Sequence, residues 1–142
     1  MPKTGHFYHE SQVVADKALT GTAFAAGSRH DHDLSLSLPP PTAGRVFDSR
    51  IEGVEVQLKT IAGAPAPTKL IIRACYDVTG NQSFLPDTEA TIALGIGAAT
   101  EGTAAYSFKL PIRQEAGQSI YLFFKIDSGT ATVSSSRITW SE

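Results

Sequence analysis

One short stretch, residues 28–33, places two imidazoles and two carboxylates next to each other. In an extended chain His30 and His32 lie on one face and Asp31 and Asp33 on the other, because successive side chains point to opposite sides. Two imidazoles at this spacing could bind one transition metal ion, but all four groups could not converge without a bend. We therefore expect a solvated loop or the entrance to a strand, with a two-histidine metal site as the alternative.

The other reactive side chains are not arranged for catalysis. The single cysteine, Cys75, excludes an intramolecular disulfide; it lies opposite the apolar positions of its segment, with no histidine near it in sequence. No serine lies in a GxSxG motif, and the carboxylates are scattered. Residues 77–81 and 127–129 could supply oxygen ligands to calcium, but their residue types are those of ordinary turns. The sequence predicts neither an enzyme nor a cofactor.

The composition indicates one globular domain with a weakly charged surface. Of the 142 residues, 42% are hydrophobic and only 18% are charged, which is below the usual quarter. The formal net charge of −2 gives no general attraction to nucleic acid or anionic lipid. No apolar run approaches a membrane span, and the N-terminus has no apolar segment typical of a secretion signal. We expect a protein kept in the cytoplasm where it is made, with no nucleic-acid or membrane partner.

Alternating apolar and polar residues predict a fold made of strands. About eight short strands with long crossings, and no segment of helical period, predict an all-β, antiparallel two-sheet sandwich, with a jelly roll favoured over an immunoglobulin-like arrangement. The strands at 50–60 and 69–78 are expected to pair. Besides two strands near the C-terminus, the predicted strands are residues 19–26, 34–38, 50–60, 69–78, 90–96 and 105–112.

The C-terminal stretch, residues 117–140, is predicted to form a hairpin around a turn at 127–130. In its first strand Tyr121 and Phe123 fall between the apolar positions and point outward, so we expect a partner to cover them. The apolar residues in its second strand change parity on the way to Trp140, which predicts a bulge within residues 134–136. The apolar positions are Ile120, Leu122, Phe124 and Ile126 in the first strand, and Ala131, Val133, Ile138 and Trp140 in the second.

Residues 1–17 are polar and irregular, apart from an aromatic cluster that includes His6, Phe7 and Tyr8. The sequence predicts an extended N-terminal arm, followed by one β-sandwich domain over residues 18–142. The arm either packs on its own domain or reaches onto a neighbouring subunit, because terminal segments stay ordered only when they are tied down. In the second case the three aromatic-cluster residues join Tyr121 and Phe123 in an oligomer interface.

Residues 50–142 resemble small β-sandwich structural proteins of tailed bacteriophages, of the capsid cement or decoration class. The segments that carry the resemblance are LIIRACYD from residue 70, FLPDTEA from 84, ATIALGI from 90, YSFKLP from 106, IYLFFKIDSGT from 120 and ITWSE from 138. The resemblance implies a non-enzymatic virion protein, made in the host cytoplasm, that binds the major capsid protein at the capsid surface. It also implies a homo-oligomer, commonly a trimer, which stabilises the shell by adding contact area across subunit boundaries.

The C-terminal hairpin also resembles that of jelly-roll carbohydrate-binding modules. Those modules present exposed aromatic side chains to the sugar, whereas Trp140 shares the parity of Ile138 and is predicted to be buried. The remaining candidates for stacking on a sugar are Tyr8, Tyr121 and Phe123. A carbohydrate-binding module and a phage tail or fibre component are therefore the alternative functions.

Overall fold

The computed structural model describes residues 8–20, 22–25, 27–33, 50–95, 98–111 and 119–141. These residues form nine strands in two antiparallel sheets. The strands are β1 (Tyr8–Leu19), β2 (Arg29–Asp33), β3 (Arg50–Ala62), β4 (Lys69–Cys75), β5 (Thr88–Thr91), β6 (Ala93–Gly95), β7 (Ala98–Pro111), β8 (Ser119–Ile126) and β9 (Thr130–Ser141). The described residues include no helix with the length and apolarity that a membrane span requires.

The two sheets confirm the predicted all-β sandwich. One sheet has the order β1-β9-β3-β7-β6 and the other has the order β2-β8-β4-β5; we call them the β1 sheet and the β2 sheet. The order 1-9-3-7 facing 2-8-4-5 is that of a jelly roll, with β6 added beside β7. Most connections between consecutive strands therefore cross from one sheet to the other.

The core lies between the sheets and is formed by the predicted alternating positions. In β3, for example, Val54, Val56 and Leu58 are buried, while the residues between them are partly exposed. Tyr106 links the two sheets through this core, since its hydroxyl donates a 2.6 Å hydrogen bond to the Leu70 carbonyl on β4. The largest fully buried apolar residues are Trp140, Phe124, Ile51, Leu70, Ile72, Ile120, Leu122, Ile126 and Ile138.

The predicted C-terminal hairpin is wrong. Strand β8 pairs with β2 and β4, whereas β9 pairs with β1 and β3 in the opposite sheet. The turn between them crosses the sandwich, and Asp127 anchors it by accepting hydrogen bonds from the backbone N–H groups of Thr68 and Lys69 at 2.9 and 3.1 Å. Both strands face the same core from opposite sides, so they show the alternation that two paired strands would show.

The predicted pairing of strands 50–60 and 69–78 fails for the same reason. Strand β3 pairs with β7 and β9, and β4 pairs with β5 and β8 in the other sheet. The proline-rich connection carries the chain across, with Pro67 buried on the way. Strand β4 also ends earlier than predicted, at Cys75, so Tyr76 is only half-buried and Val78 is 48% exposed.

The predicted strand at 90–96 is divided between the sheets. Strand β5 pairs with β4 and strand β6 pairs with β7. Ile92, between them, is buried and donates a 2.9 Å backbone hydrogen bond to the Thr68 carbonyl, whereas Leu94 is 55% exposed rather than inward. Residues 98–103, which lie between the predicted strands at 90–96 and 105–112, are the first part of β7.

The described part of the predicted arm is regular strand. Residues 8–19 form β1, an edge strand of the β1 sheet that pairs with β9 of the same domain. Leu19 therefore ends a strand instead of beginning one, and the predicted strand at 19–26 is wrong. The predicted strand at 34–38, like His6 and Phe7, lies outside the described residues.

Candidate functional site

Two adjacent bulges turn polar groups into the space between the sheets. In β9, Ser134 is the extra residue relative to β3, since Gln57 pairs with Ser135 and Leu58 pairs with Val133. This confirms the bulge predicted within residues 134–136, and it makes Ser136 face inward together with Ile138 and Trp140. The change in parity at the bulge therefore points the Ser136 hydroxyl into the core.

The second bulge lies opposite, in β1. Val14 pairs with Ser135 and Lys17 pairs with Val133, which leaves Ala15 and Asp16 without a partner residue in the register. The Ala15 carbonyl is used instead by a side chain of the other sheet, because it lies 2.7 Å from His30 Nε2. Asp16, on the outside, forms a 2.7 Å ion pair with Lys59 of β3.

His30 and His32 meet between these two bulges. They share one face of β2, as predicted for an extended chain, but they are 1% and 0% exposed, so the expectation of a solvated segment is wrong. The Ser136 hydroxyl lies 2.6 Å from His30 Nδ1 and 2.7 Å from His32 Nε2. Ser11 on β1 completes the cluster, with its hydroxyl 3.0 Å from His32 Nδ1.

When both rings are neutral, the hydrogen-bond partners determine which nitrogen of each ring carries the proton. A carbonyl only accepts, so His30 Nε2 donates to Ala15, and His30 Nδ1 accepts from the Ser136 hydroxyl. That hydroxyl has one proton, so it accepts from His32 Nε2, and His32 Nδ1 accepts from Ser11. The result is a chain of four hydrogen bonds in one direction, from Ser11 through His32, Ser136 and His30 to Ala15.

Burial favours the neutral form of both rings. The pKa of His32 is lowered to about 4; burial is the largest cause, and the neighbouring His30 is the second. Burial also lowers the pKa of His30 from its ordinary value, against the raising effect of the hydrogen bond to Ala15. Lys17 lowers the pKa of His30 as well, while Asp31 raises the pKa of both rings.

A cleft of about 290 Å³ opens beside this cluster, between β1 and β2. His30 reaches the wall of the cleft, but the Ser136 hydroxyl lies behind it between two imidazoles and is 1% exposed. A nucleophile in that position is closed to a substrate, and the arrangement joins two sheets rather than activating a hydroxyl. The cleft is lined by Val13, Ala15, Lys17, Arg29, His30 and Asp31.

The alternative metal site is not what the geometry supports. The two ring nitrogens that converge, His30 Nδ1 and His32 Nε2, are both engaged by Ser136. In the described part of the chain, no group of three or more histidine, cysteine, aspartate or glutamate side chains could hold a metal ion. Asp77 caps its own turn, with a carboxylate that accepts from the Gln82 N–H at 2.8 Å and from the Thr79 hydroxyl, as expected for turn chemistry.

Phe123 is not available to a partner, so the prediction that it is exposed is wrong. It lies outside the core cluster between the sheets, yet it is only 4% exposed. Its ring packs on Gly80, where an added Cβ would come within 3.4 Å. Beside it, Phe24 lies 4.4 Å from the Arg73 guanidinium carbon and 4.6 Å from the Lys125 amino group. Segments of the same chain therefore cover this face.

The other predicted interface residues have different outcomes. Tyr121 is half-buried, between Asp31 of β2 and Cys75 of β4 in the register. Tyr8 begins β1, and its side chain is not among those described. Tyr121 and Tyr8 remain predicted interface residues.

Cys75 is fully buried, and burial raises its thiol pKa to about 11, as suits an unreactive structural cysteine.

The role of Ser136 was missed by the sequence analysis, although its signal is present in the sequence. The parity change that predicts the bulge also assigns Ser136 to the inward face, together with Ile138 and Trp140. A serine at such a position requires a buried hydrogen-bond partner. Its partners, His30 and His32, are more than a hundred residues away in the chain, which no local pattern reveals.

Comparison with known proteins identifies no family. No family model and no curated protein sequence matches the chain. Among solved structures, the chain is similar to one titled as the capsid asymmetric unit of cyanophage Pam1, with a TM-score of 0.44 and 12% identity over 99% of this chain and 89% of that one. It is also similar to FLHE, with a TM-score of 0.36 and 15% identity over 97% of both chains. The fold assignment rests on the strand order and not on these similarities.

Proposed function

We propose that this chain is a non-enzymatic structural protein of a bacteriophage virion, and that it is a cement or decoration protein bound to the major capsid protein. The observation that carries the proposal is the use of the buried polar groups. Buried hydrogen bonds of His30, His32 and Ser136 join the two sheets of a jelly roll to each other, which supports a rigid structural role. Such a domain is suited to bearing load between neighbours.

The outer face of the β1 sheet supports the same role, because two of its cations form ion pairs with neighbouring carboxylates. Arg137 lies 3.4 Å from Glu55 and 3.9 Å from Glu10, and Lys59 lies 2.7 Å from Asp16. Between these pairs the face carries small side chains from β7 and β9. A surface without concentrated charge can be covered by a neighbour at a modest desolvation cost. These small residues are Thr103, Ala105, Ser107, Thr132, Ser134 and Thr139.

The edge of this sheet offers the point of attachment. Val14 on β1 is 76% exposed, and β1 leads back to the aromatic cluster of His6, Phe7 and Tyr8 that we propose as part of the contact. Tyr121 is the further proposed contact, whereas Phe123 is left out. A standard interface buries about 800 Å² on each partner. We propose trimers on the capsid surface, with the major capsid protein as the other partner.

The carbohydrate-binding alternative loses Phe123, which is 4% exposed, but keeps the half-buried Tyr121 as a candidate for stacking on a sugar. Trp140 is 0% exposed and cannot stack on a sugar. The large apolar residues that are exposed, Val14, Val78 and Leu94, are all aliphatic. Tyr76 is occupied by stacking on Phe84, with 4.5 Å between the ring centroids.

The oligomeric state can be tested by light scattering of the purified protein over a wide concentration range. A trimer that persists on dilution is expected, and a monomer at all concentrations would contradict the proposal.

The attachment edge can be tested with Val14→Lys, using Leu94→Lys at the opposite edge strand, β6, as the matched control. We expect only the β1 variant to lose binding to shells.

A further inference from the structure

We propose that the hydrogen-bond chain through His32, Ser136 and His30 is an acid-sensitive latch. At neutral pH it holds the β1 edge of one sheet to the β2 edge of the other, and it releases when either imidazole takes up a proton. This inference goes beyond the proposed function, since it holds for the isolated domain whether or not the domain binds a capsid.

The latch occupies a place where no backbone ladder joins the strands. Strands β1 and β2 belong to different sheets, each at the edge of its own. Two side-chain hydrogen bonds connect them, from His30 to the Ala15 carbonyl and from Ser11 to His32, and Ser136 ties both rings to β9. Because Ala15 belongs to the β1 bulge, its carbonyl can turn away from β9 and accept from the ring.

Protonation disrupts this chain because each of its protons is already donated to the next acceptor, so an added proton finds no acceptor without a rearrangement. A charged His30 would carry a proton on Nδ1 as well, so Ser136 would face two donors and its own proton would lose its acceptor. A charged His32 would present Nδ1–H to the Ser11 hydroxyl, which donates to that nitrogen in the neutral form. In both cases a charge is placed where it is almost completely removed from water.

The charged neighbours do not compensate such a charge. Lys17 of β1 lines the adjacent cleft and opposes a positive ring, whereas Asp31 of β2, which forms a 2.8 Å ion pair with Arg29, favours it. The faces toward β8 and β9 are uncharged. Phe124 of β8 meets His30 edge-on, with 5.2 Å between ring centroids, and β9 contributes Ser136. A proton is therefore accommodated by opening the latch to water.

The size of the effect follows from proton linkage. The pKa of His32 is about 4 in the closed state and has the ordinary value of 6.5 once the ring is exposed, so the titration of His32 alone raises the opening constant about thirtyfold between about pH 7.5 and about pH 5. The pH dependence of stability has the sign expected for a group whose pKa is lower in the folded state. The open state binds more protons, so the closed state loses stability as the pH falls below 6.5.

The test is backbone hydrogen exchange of the full chain at these two pH values, corrected for intrinsic rates. For the wild type we expect the protection of β1 amides to fall at least about thirtyfold at the lower pH. For His32→Gln, which keeps an N–H donor for Ser136 but cannot titrate at this position, the fall should be clearly smaller than in the wild type, and the remaining fall is due to His30. Ser134→Ala, which removes a hydroxyl outside the latch on the same strand, should behave like the wild type.

A wild-type fall below about threefold, or a fall in His32→Gln as large as that of the wild type, would overturn the proposal. If His32→Gln does not fold, the wild type alone decides by NMR of the imidazole nitrogens. The latch requires the Nε2–H tautomer of both rings near neutral pH and lowered pKa values for both. Two rings that titrate at the ordinary value of 6.5 would refute it.

Discussion

Removing the Ser136 hydroxyl by Ser136→Ala is expected to destabilise the domain more than the loss of a single hydrogen bond would. The hydroxyl bridges two buried ring nitrogens, at 2.6 Å from His30 Nδ1 and 2.7 Å from His32 Nε2. In the variant both nitrogens lose their partner in a region closed to water. An unsatisfied buried polar group costs about 1–3 kcal/mol, so the free energy of unfolding should fall by about 3 kcal/mol.

Ser134→Ala is the matched control, two residues away on the same strand. Its hydroxyl donates one 3.1 Å bond to the Gln57 carbonyl in a partly exposed position, so the variant should lose about 1 kcal/mol or less. The assay is urea unfolding near neutral pH with both variants and the wild type. Equal losses in the two variants, or a smaller loss in Ser136→Ala, would refute the account of the buried cluster.

Three further predictions concern other parts of the fold. Phe123→Ser should destabilise the domain by about 3 kcal/mol or more in thermal or urea unfolding, whereas Tyr121→Ser should have little effect, and equal effects would contradict the assigned burial. Tyr106→Phe should cost about 1–2 kcal/mol, because it leaves the buried Leu70 carbonyl without its hydroxyl donor; a neutral result in urea unfolding would contradict that role. The Cys75 thiol, with a pKa near 11, should react with a thiol reagent at mildly alkaline pH only after unfolding, and rapid labelling of the native protein would contradict its burial.

Local alternation was sufficient to predict the class of fold and the inward face of strands such as β3. It assigned Val54, Val56 and Leu58 correctly to the core, and the parity of Trp140 predicted both its burial and the β9 bulge. It could not predict which strands pair. A strand shows the same alternation whether the strand that follows it lies beside it, as in a hairpin, or across the core, as β9 does after β8.

The parts of the site that could not be predicted depend on contacts between distant residues. The two histidines were correctly placed on one face, but their burial is set by Ser136, which is far away in sequence. Phe123 was correctly placed outside the sandwich core, but Gly80 from another loop covers it. In both cases the alternation gives the direction of the side chain, and the tertiary fold decides whether water reaches it.

We propose that this domain stabilises a phage shell from its surface. The decisive experiment is to incubate the purified protein with purified shells of the phage that encodes it and to measure co-sedimentation. We expect binding that saturates over the whole shell, and that is lost in Val14→Lys but kept in Leu94→Lys. The absence of binding, or attachment restricted to a single vertex as for a tail component, would contradict it.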